Sequence, residues 1–165
     1  MPKLKSNLAV FILAAILPAL AFAHSVQSGD ISVGHIWAYP PAANKGQAGG
    51  YGYNGTTRSM PPGIAIDIFG PFVNGGGSAD AITGVTSGSI KAANIVMWVR
   101  GNQMTRDFPL ALPPKQPVAL GPQTQFIRLY GVDKSYKEGE SFPITFHFQH
   151  APDATIDVVV EGKSK

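Results

Sequence analysis

Beyond residue 30 the apolar residues of this chain recur at every second position, a period that suits a strand and not a helix. The stretches Ile31–Trp37, Ile64–Phe69, Ala93–Val99, Pro117–Leu120, Gln125–Val132, Ser141–Phe148 and Thr155–Val160 are rich in Ile, Val, Phe and Thr. Gly, Pro, Asn or Asp bound them, so each is predicted to be a strand. In Ser141–Phe148 the residues Phe142, Ile144, Phe146 and Phe148 alternate with Pro143, Thr145 and His147, which makes one face core. Lys137–Glu140 is the polar turn before it. No segment of ten or more residues carries a helical stripe. Seven or eight short strands separated by turn signals imply an all-β sandwich or barrel.

The first 23 residues obey another logic. Lys3 and Lys5 precede an apolar run from Leu8 to Leu17, Pro18 breaks it, and Ala21 and Ala23 form an A-x-A site. Residues 1–23 therefore read as a secretory signal peptide, whose apolar run is too short to span a bilayer as a helix. No second long apolar run follows. The mature chain is expected in the periplasm, without a transmembrane segment. Cleavage after Ala23 makes His24 the first residue, with a free α-amine beside its imidazole. A competing cut after Ser25 removes it.

Residues 24–165 suffice for one domain with a real core and not for two. The signal takes two of the 13 basic residues and none of the 10 acidic ones, leaving a net charge of +1. With no basic run interleaved with aromatics, nucleic acid is not an expected partner. The chain has no cysteine, hence no disulfide framework, thiolate nucleophile or zinc finger. Soft-metal chemistry falls to His and Met. Residues 42–63 contain six glycines and a Pro pair and are expected to be a long inserted surface loop. Tyr51 and Tyr53 within it either pack back or offer a contact surface.

Four pieces occur in a meaningful order: "GDISVGHIWAYPP" at Gly29–Pro41, "NGGGSADAITGVTS" at Asn74–Ser87, "PPKQPVALGPQ" at Pro113–Gln123 and "YKEGESFPITFHF" at Tyr136–Phe148. Together they resemble the periplasmic copper-chaperone domains called PCuAC, over nearly the whole mature chain apart from the Gly-rich loop. The resemblance implies a small Greek-key β-barrel or sandwich of cupredoxin-like type. It also implies copper as the bound ion and a copper-receiving periplasmic or membrane protein as a partner.

The departures from that family carry as much information. Its copper(I) ligands, a His and a Met around one loop and a later His-x-Met pair, fall here on Met97 and Met104 and on Phe126 and Arg128. A guanidinium brings positive charge and no lone pair, so the copper(I) site is expected to be absent. Met97 and Met104 then read as core fillers, or as two thioether ligands that make a poor site without imidazole. Variants of the family from methane-oxidising bacteria lack the copper(I) motif and are described as using a histidine brace, and this chain resembles them. That resemblance implies copper held by the amine and Nδ1 of an N-terminal histidine, with a second imidazole opposite. Nitrogen ligands in a tetragonal plane favour Cu(II) over Cu(I).

The mature chain has four histidines: His24, His35, His147 and His150. The expected metal ligands are His24 and His35, with Gly29 and Asp30 turning the chain between them. His35 shares a strand face with Ile31, Val33 and Trp37, and a half-buried structural histidine is its other reading. His147 reads as a solvated strand residue and His150 as a turn residue, and either stands as a substitute for His35. Asp30 offers an acceptor for an imidazole N–H, or serves only the turn.

The leading expectation is an exported copper-binding protein for transport, storage or delivery. A metal-free partner-binding β domain is the alternative from another class. A histidine-brace copper redox enzyme is the third, but no GxSxG pattern and no Ser, His and acid at motif spacing occur, and no enzyme is expected.

Overall fold

The computed structural model describes residues 25–40 and 63–162, and every helix or strand assigned there is a strand. The expected signal peptide, His24 and all but the last residue of the 42–63 loop lie outside the described residues. In chain order the strands are β1 (Val26–Ser28), β2 (Ile31–Val33), β3 (Trp37–Ala38) and β4 (Ile64–Asn74). Then come β5 (Asp80–Thr86), β6 (Ala92–Val99), β7 (Asn102–Arg106) and β8 (Leu110–Leu112). The last four are β9 (Pro117–Leu120), β10 (Gln125–Val132), β11 (Ser141–Phe148) and β12 (Ala154–Val160). The all-β expectation holds, and β9, β10 and β11 begin and end where the alternation does.

The larger sheet runs β7-β6-β10-β4-β3-β12-β11-β5-β8. Every neighbouring pair in it is antiparallel except β3 and β12, which run parallel with Val159 beside Trp37. A smaller sheet runs β1-β2-β4-β9. Both share β4, whose first half pairs with β10 and β3 and whose last residues pair with β2 and β9. One strand turning from one sheet into the other makes the corner of a β-sandwich.

Alternation decides which side chains fill the space between the sheets. Phe142, Ile144, Phe146 and Phe148 of β11 are buried, and so are Ala154, Ile156, Val158 and Val160 of β12. They join Ile31, Val33, Ile66, Ile68, Phe72, Ile95, Ile127 and Leu129 in the main core. Burying such a side chain contributes about 1.5–3 kcal/mol. A second, smaller cluster of Phe69, Val96 and Phe126, with Trp37 and Tyr39 against it, is separate from that core.

Ile31–Trp37 is not one strand. It breaks between β2 and β3, and the buried set changes phase from Ile31 and Val33 to Ile36 and Ala38. Trp37 therefore leaves the face of Val33 and packs on Phe69, with ring centroids 4.5 Å apart. The shared face expected for Ile31, Val33, His35 and Trp37 is thus corrected by a break centred on Gly34 and His35.

Candidate metal centre around His35

His35 lies where two chain segments cross at the corner. The Gly34 N–H donates to the Pro71 carbonyl at 2.9 Å. A Cβ on Gly34 would lie 2.5 Å from Pro71 Cγ, and one on Gly70 would lie 2.5 Å from the His35 carbonyl oxygen. Gly70 also has φ 144°, a backbone region that side chains rarely adopt. Two glycines thus let β2–β3 and β4 touch backbone to backbone, and the position of His35 follows from that contact.

The His35 ring has one nitrogen engaged. Its Nε2 lies 2.7 Å from Oε1 of Glu161, and the two side chains are 36% and 44% exposed. An ionised carboxylate only accepts, so Nε2 donates. Nδ1 is buried and has no hydrogen-bond partner among the described residues. Glu161 follows β12 directly, and its backbone N–H donates to the Ala38 carbonyl at 2.8 Å. The parallel β3–β12 pairing therefore fixes both ends of the His35–Glu161 contact. Nothing in the sequence singled out Glu161, because 126 residues separate it from His35.

The hairpin of β1 and β2 pairs Val26 with Val33, Gln27 with Ser32 and Ser28 with Ile31. Gly29, at φ 55°, and Asp30 form its turn. Asp30 is thus at the closed end of the hairpin and His35 beyond its open end, so Glu161 and not Asp30 meets the imidazole. The Asp30 carbonyl instead accepts from the Gly75 N–H at 2.8 Å.

The other described histidines have local roles. His147 is bonded through Nδ1 to Asp153 and through Nε2 to Thr86, both at 2.8 Å. Asp153, His147 and Thr86 follow one another in the order of a hydrolase triad, brought together by β5–β11 and β11–β12 pairing and not by sequence spacing. Both ring nitrogens are spent on these neighbours. His150 is exposed in the turn after β11, where its backbone N–H donates to Asp80. Among the described residues no three His, Cys, Asp or Glu side chains gather as a metal site.

Met97, Met104 and Arg128, on which the resemblance laid the copper(I) ligands, have other surroundings. Met97 and Met104 stand opposite each other in the β6–β7 hairpin, whose turn is the two residues Arg100 and Gly101, both with positive φ. That two-residue turn is the tight kind that suits the twist of a hairpin. Met97 packs against the main core. Arg128 is held by Asp67 through Nε at 2.6 Å and Nη2 at 2.8 Å, and its Nη1 reaches Gln103 at 3.2 Å. Burial opposes the charge of Arg128, but its hydrogen bonds and attraction to Asp67 outweigh this and raise its pKa. The guanidinium at this position offers no lone pair to a cation, and its positive charge is neutralised by Asp67 within the sheet.

A model of the LpqE-like family matches residues 31–160. The chain belongs to the LpqE-like family. No curated protein matches it by sequence. Among solved structures it is similar to a copper-bound PCuAC domain from PmoF2, with 20% identity, a TM-score of 0.64 and coverage of 84% of this chain and 98% of that one. The apo PCuAC domain of PmoF1 matches with the same identity and TM-score over 84% of this chain and 99% of the other. The apo PmoF2 domain gives 20% identity and a TM-score of 0.65 over 86% and 98%. The LpqE-like chain thus has the PCuAC fold. No helix among the described residues is long and apolar enough to cross a membrane.

Proposed function

We propose that this LpqE-like protein is an exported copper carrier that holds Cu(II) in a histidine brace made by His24 and His35. In this reading residues 1–23 are removed as a signal peptide and residues 24–165 form the periplasmic domain. The observation that carries it is the β1–β2 register together with the bare Nδ1 of His35. The β1–β2 pairing sets Val26 beside Val33, so the chain segment that precedes Val26 starts two residues from His35. The fold shared with a copper-bound PCuAC domain supports copper as the cargo.

The chemistry is ligand exchange. The His24 amine, the His24 imidazole and His35 supply three nitrogens, a set that suits Cu(II), and a fourth position stays open to water or to a ligand of the receiving protein. His35 is partly exposed at the open end of the hairpin, where a partner can approach. Intact-mass mapping of the exported protein tests the start of the chain, and a start at His24 is expected. Electron paramagnetic resonance of the Cu(II) form is then expected to show three nitrogen donors, and fewer after His24→Ala or His35→Ala. A start at Val26, or a spectrum that neither substitution alters, refutes the brace.

The Asp67–Arg128 pair favours one other reading, a metal-free partner-binding domain that kept the scaffold. Calorimetric titration of metal-stripped protein separates the two. Uptake of one Cu(II) per chain supports the carrier, and no uptake at micromolar copper supports the metal-free domain.

A further inference from the structure

We propose that Glu161 is a positioning residue that fixes the tautomer of His35 and so selects Nδ1 as the nitrogen His35 gives to copper; this rests on the brace reading above. Three observations meet at the ring. The Glu161 carboxylate takes a hydrogen bond from Nε2 at 2.7 Å, which requires the proton to be on that nitrogen. A neutral imidazole protonated at Nε2 has its lone pair on Nδ1. Nδ1 is the buried atom without a partner among the described residues.

The alternatives fare worse. Moving the proton to Nδ1 buries an unpaired N–H and sets the Nε2 lone pair against a carboxylate, two repulsive changes at once. Rotating the ring would turn Nε2 away from Glu161. A carboxylate on the far nitrogen of a ligating imidazole both orients the ring and makes it more basic, and losing such a partner typically costs 10–100-fold in metal affinity. The geometry is held by backbone on both sides. Val159 N–H donates to Ile36 C=O at 3.1 Å and Glu161 N–H to Ala38 C=O at 2.8 Å, so the segments just before β3 and just after β12, which carry His35 and Glu161, are locked together.

The test uses the full mature chain, first without metal. Long-range proton–nitrogen correlation spectra of the histidine rings, with His35 identified by comparison with His35→Ala, are expected to show His35 protonated at Nε2. The same tautomer is expected in Glu161→Gln, whose side-chain carbonyl also accepts, and a mixture is expected in Glu161→Ala. With CuCl2 as the probe, Glu161→Ala is expected to weaken binding 10- to 100-fold and to shift the copper resonance parameters. Glu161→Gln should stay within about threefold of the parent. An Nδ1–H tautomer in the parent protein, or a tautomer and copper affinity in Glu161→Ala equal to the parent's, overturns the proposal. Failure of the brace itself looks different: the metal-free spectra follow the pattern above, but the copper signal ignores His35→Ala. That result removes copper selection by Glu161 and leaves the tautomer assignment.

Discussion

Asp67 and Arg128 face each other across β4 and β10, with side chains 29% and 16% exposed. Removing either one strands the other with a charge that the sheet has partly desolvated. Asp67→Ala is expected to destabilise the fold by about 2–3 kcal/mol, below the cost for a fully buried pair because Asp67 is partly hydrated. Replacing both by apolar residues of similar volume is expected to cost less than Asp67→Ala alone, and urea denaturation of single and double variants measures the difference. Asp80 presents the opposite balance. Burial raises its pKa, but N–H groups of Ala81, Ala151, His150 and Gln149 all donate to its carboxylate and hold it below the usual value of 3.8. A lowered folded pKa gives stability that is full above the unfolded value and is lost as pH falls through the folded one. Asp80→Asn is therefore expected to cost about 1.5–3 kcal/mol at pH 7. Its deficit relative to the parent should shrink between about pH 5 and pH 2, which denaturation curves across that range would check.

At the level of strands, the corner where β2–β3 crosses β4 is the part of the fold that alternation could not show. Reading Ile31–Trp37 alone gives a continuous period of two, and only contact with Gly70 and Pro71, far along the chain, shows why it must break. Gly70→Ala sets a Cβ 2.5 Å from the His35 carbonyl and 2.6 Å from Ile36 Cδ1, at φ 144°. It is expected to destabilise the protein by about 2–4 kcal/mol, read as a lower midpoint in thermal unfolding. It should also displace His35 and weaken Cu(II) uptake, which an unrelated core substitution of equal cost, such as Ile144→Ala, should not do. The strands legible in sequence were those with a buried apolar face. Phe142 to Phe148 and Gln125 to Val132 announce themselves, whereas β7, Asn-Gln-Met-Thr-Arg, is a polar edge strand defined by its partner β6. β1 and β8 have three residues each, too few to display a period. β5 carries a glycine at position 84 that interrupts its apolar pattern.

For the whole molecule, the decisive event is that β3 and β12 run side by side, bringing an early histidine to a late glutamate. His35 could be proposed from sequence because histidines are few and one precedes "IWAYPP"; Glu161 could not, since only tertiary folding joins them. The same long-range design separates fold from cargo. The main core is made by side chains of the described residues 25–40 and 63–162. A mature chain made with Gly-Ser-Gly-Ser ahead of His24, long enough that the new amine and His24 do not form a three-residue copper chelate, is therefore expected to keep its circular dichroism and its thermal midpoint within about 2 °C, a shift corresponding to under about 1 kcal/mol for a domain of this size. If copper is held by the proposed brace, its Cu(II) complex is expected to change, because the primary amine becomes an amide that must lose a proton to bind and the two-point chelate at His24 is lost. Resonance spectra should show fewer than three nitrogen donors of the original kind, with affinity reduced at least tenfold. A tagged chain with unaltered copper spectra would place the site away from the N-terminus and overturn the brace.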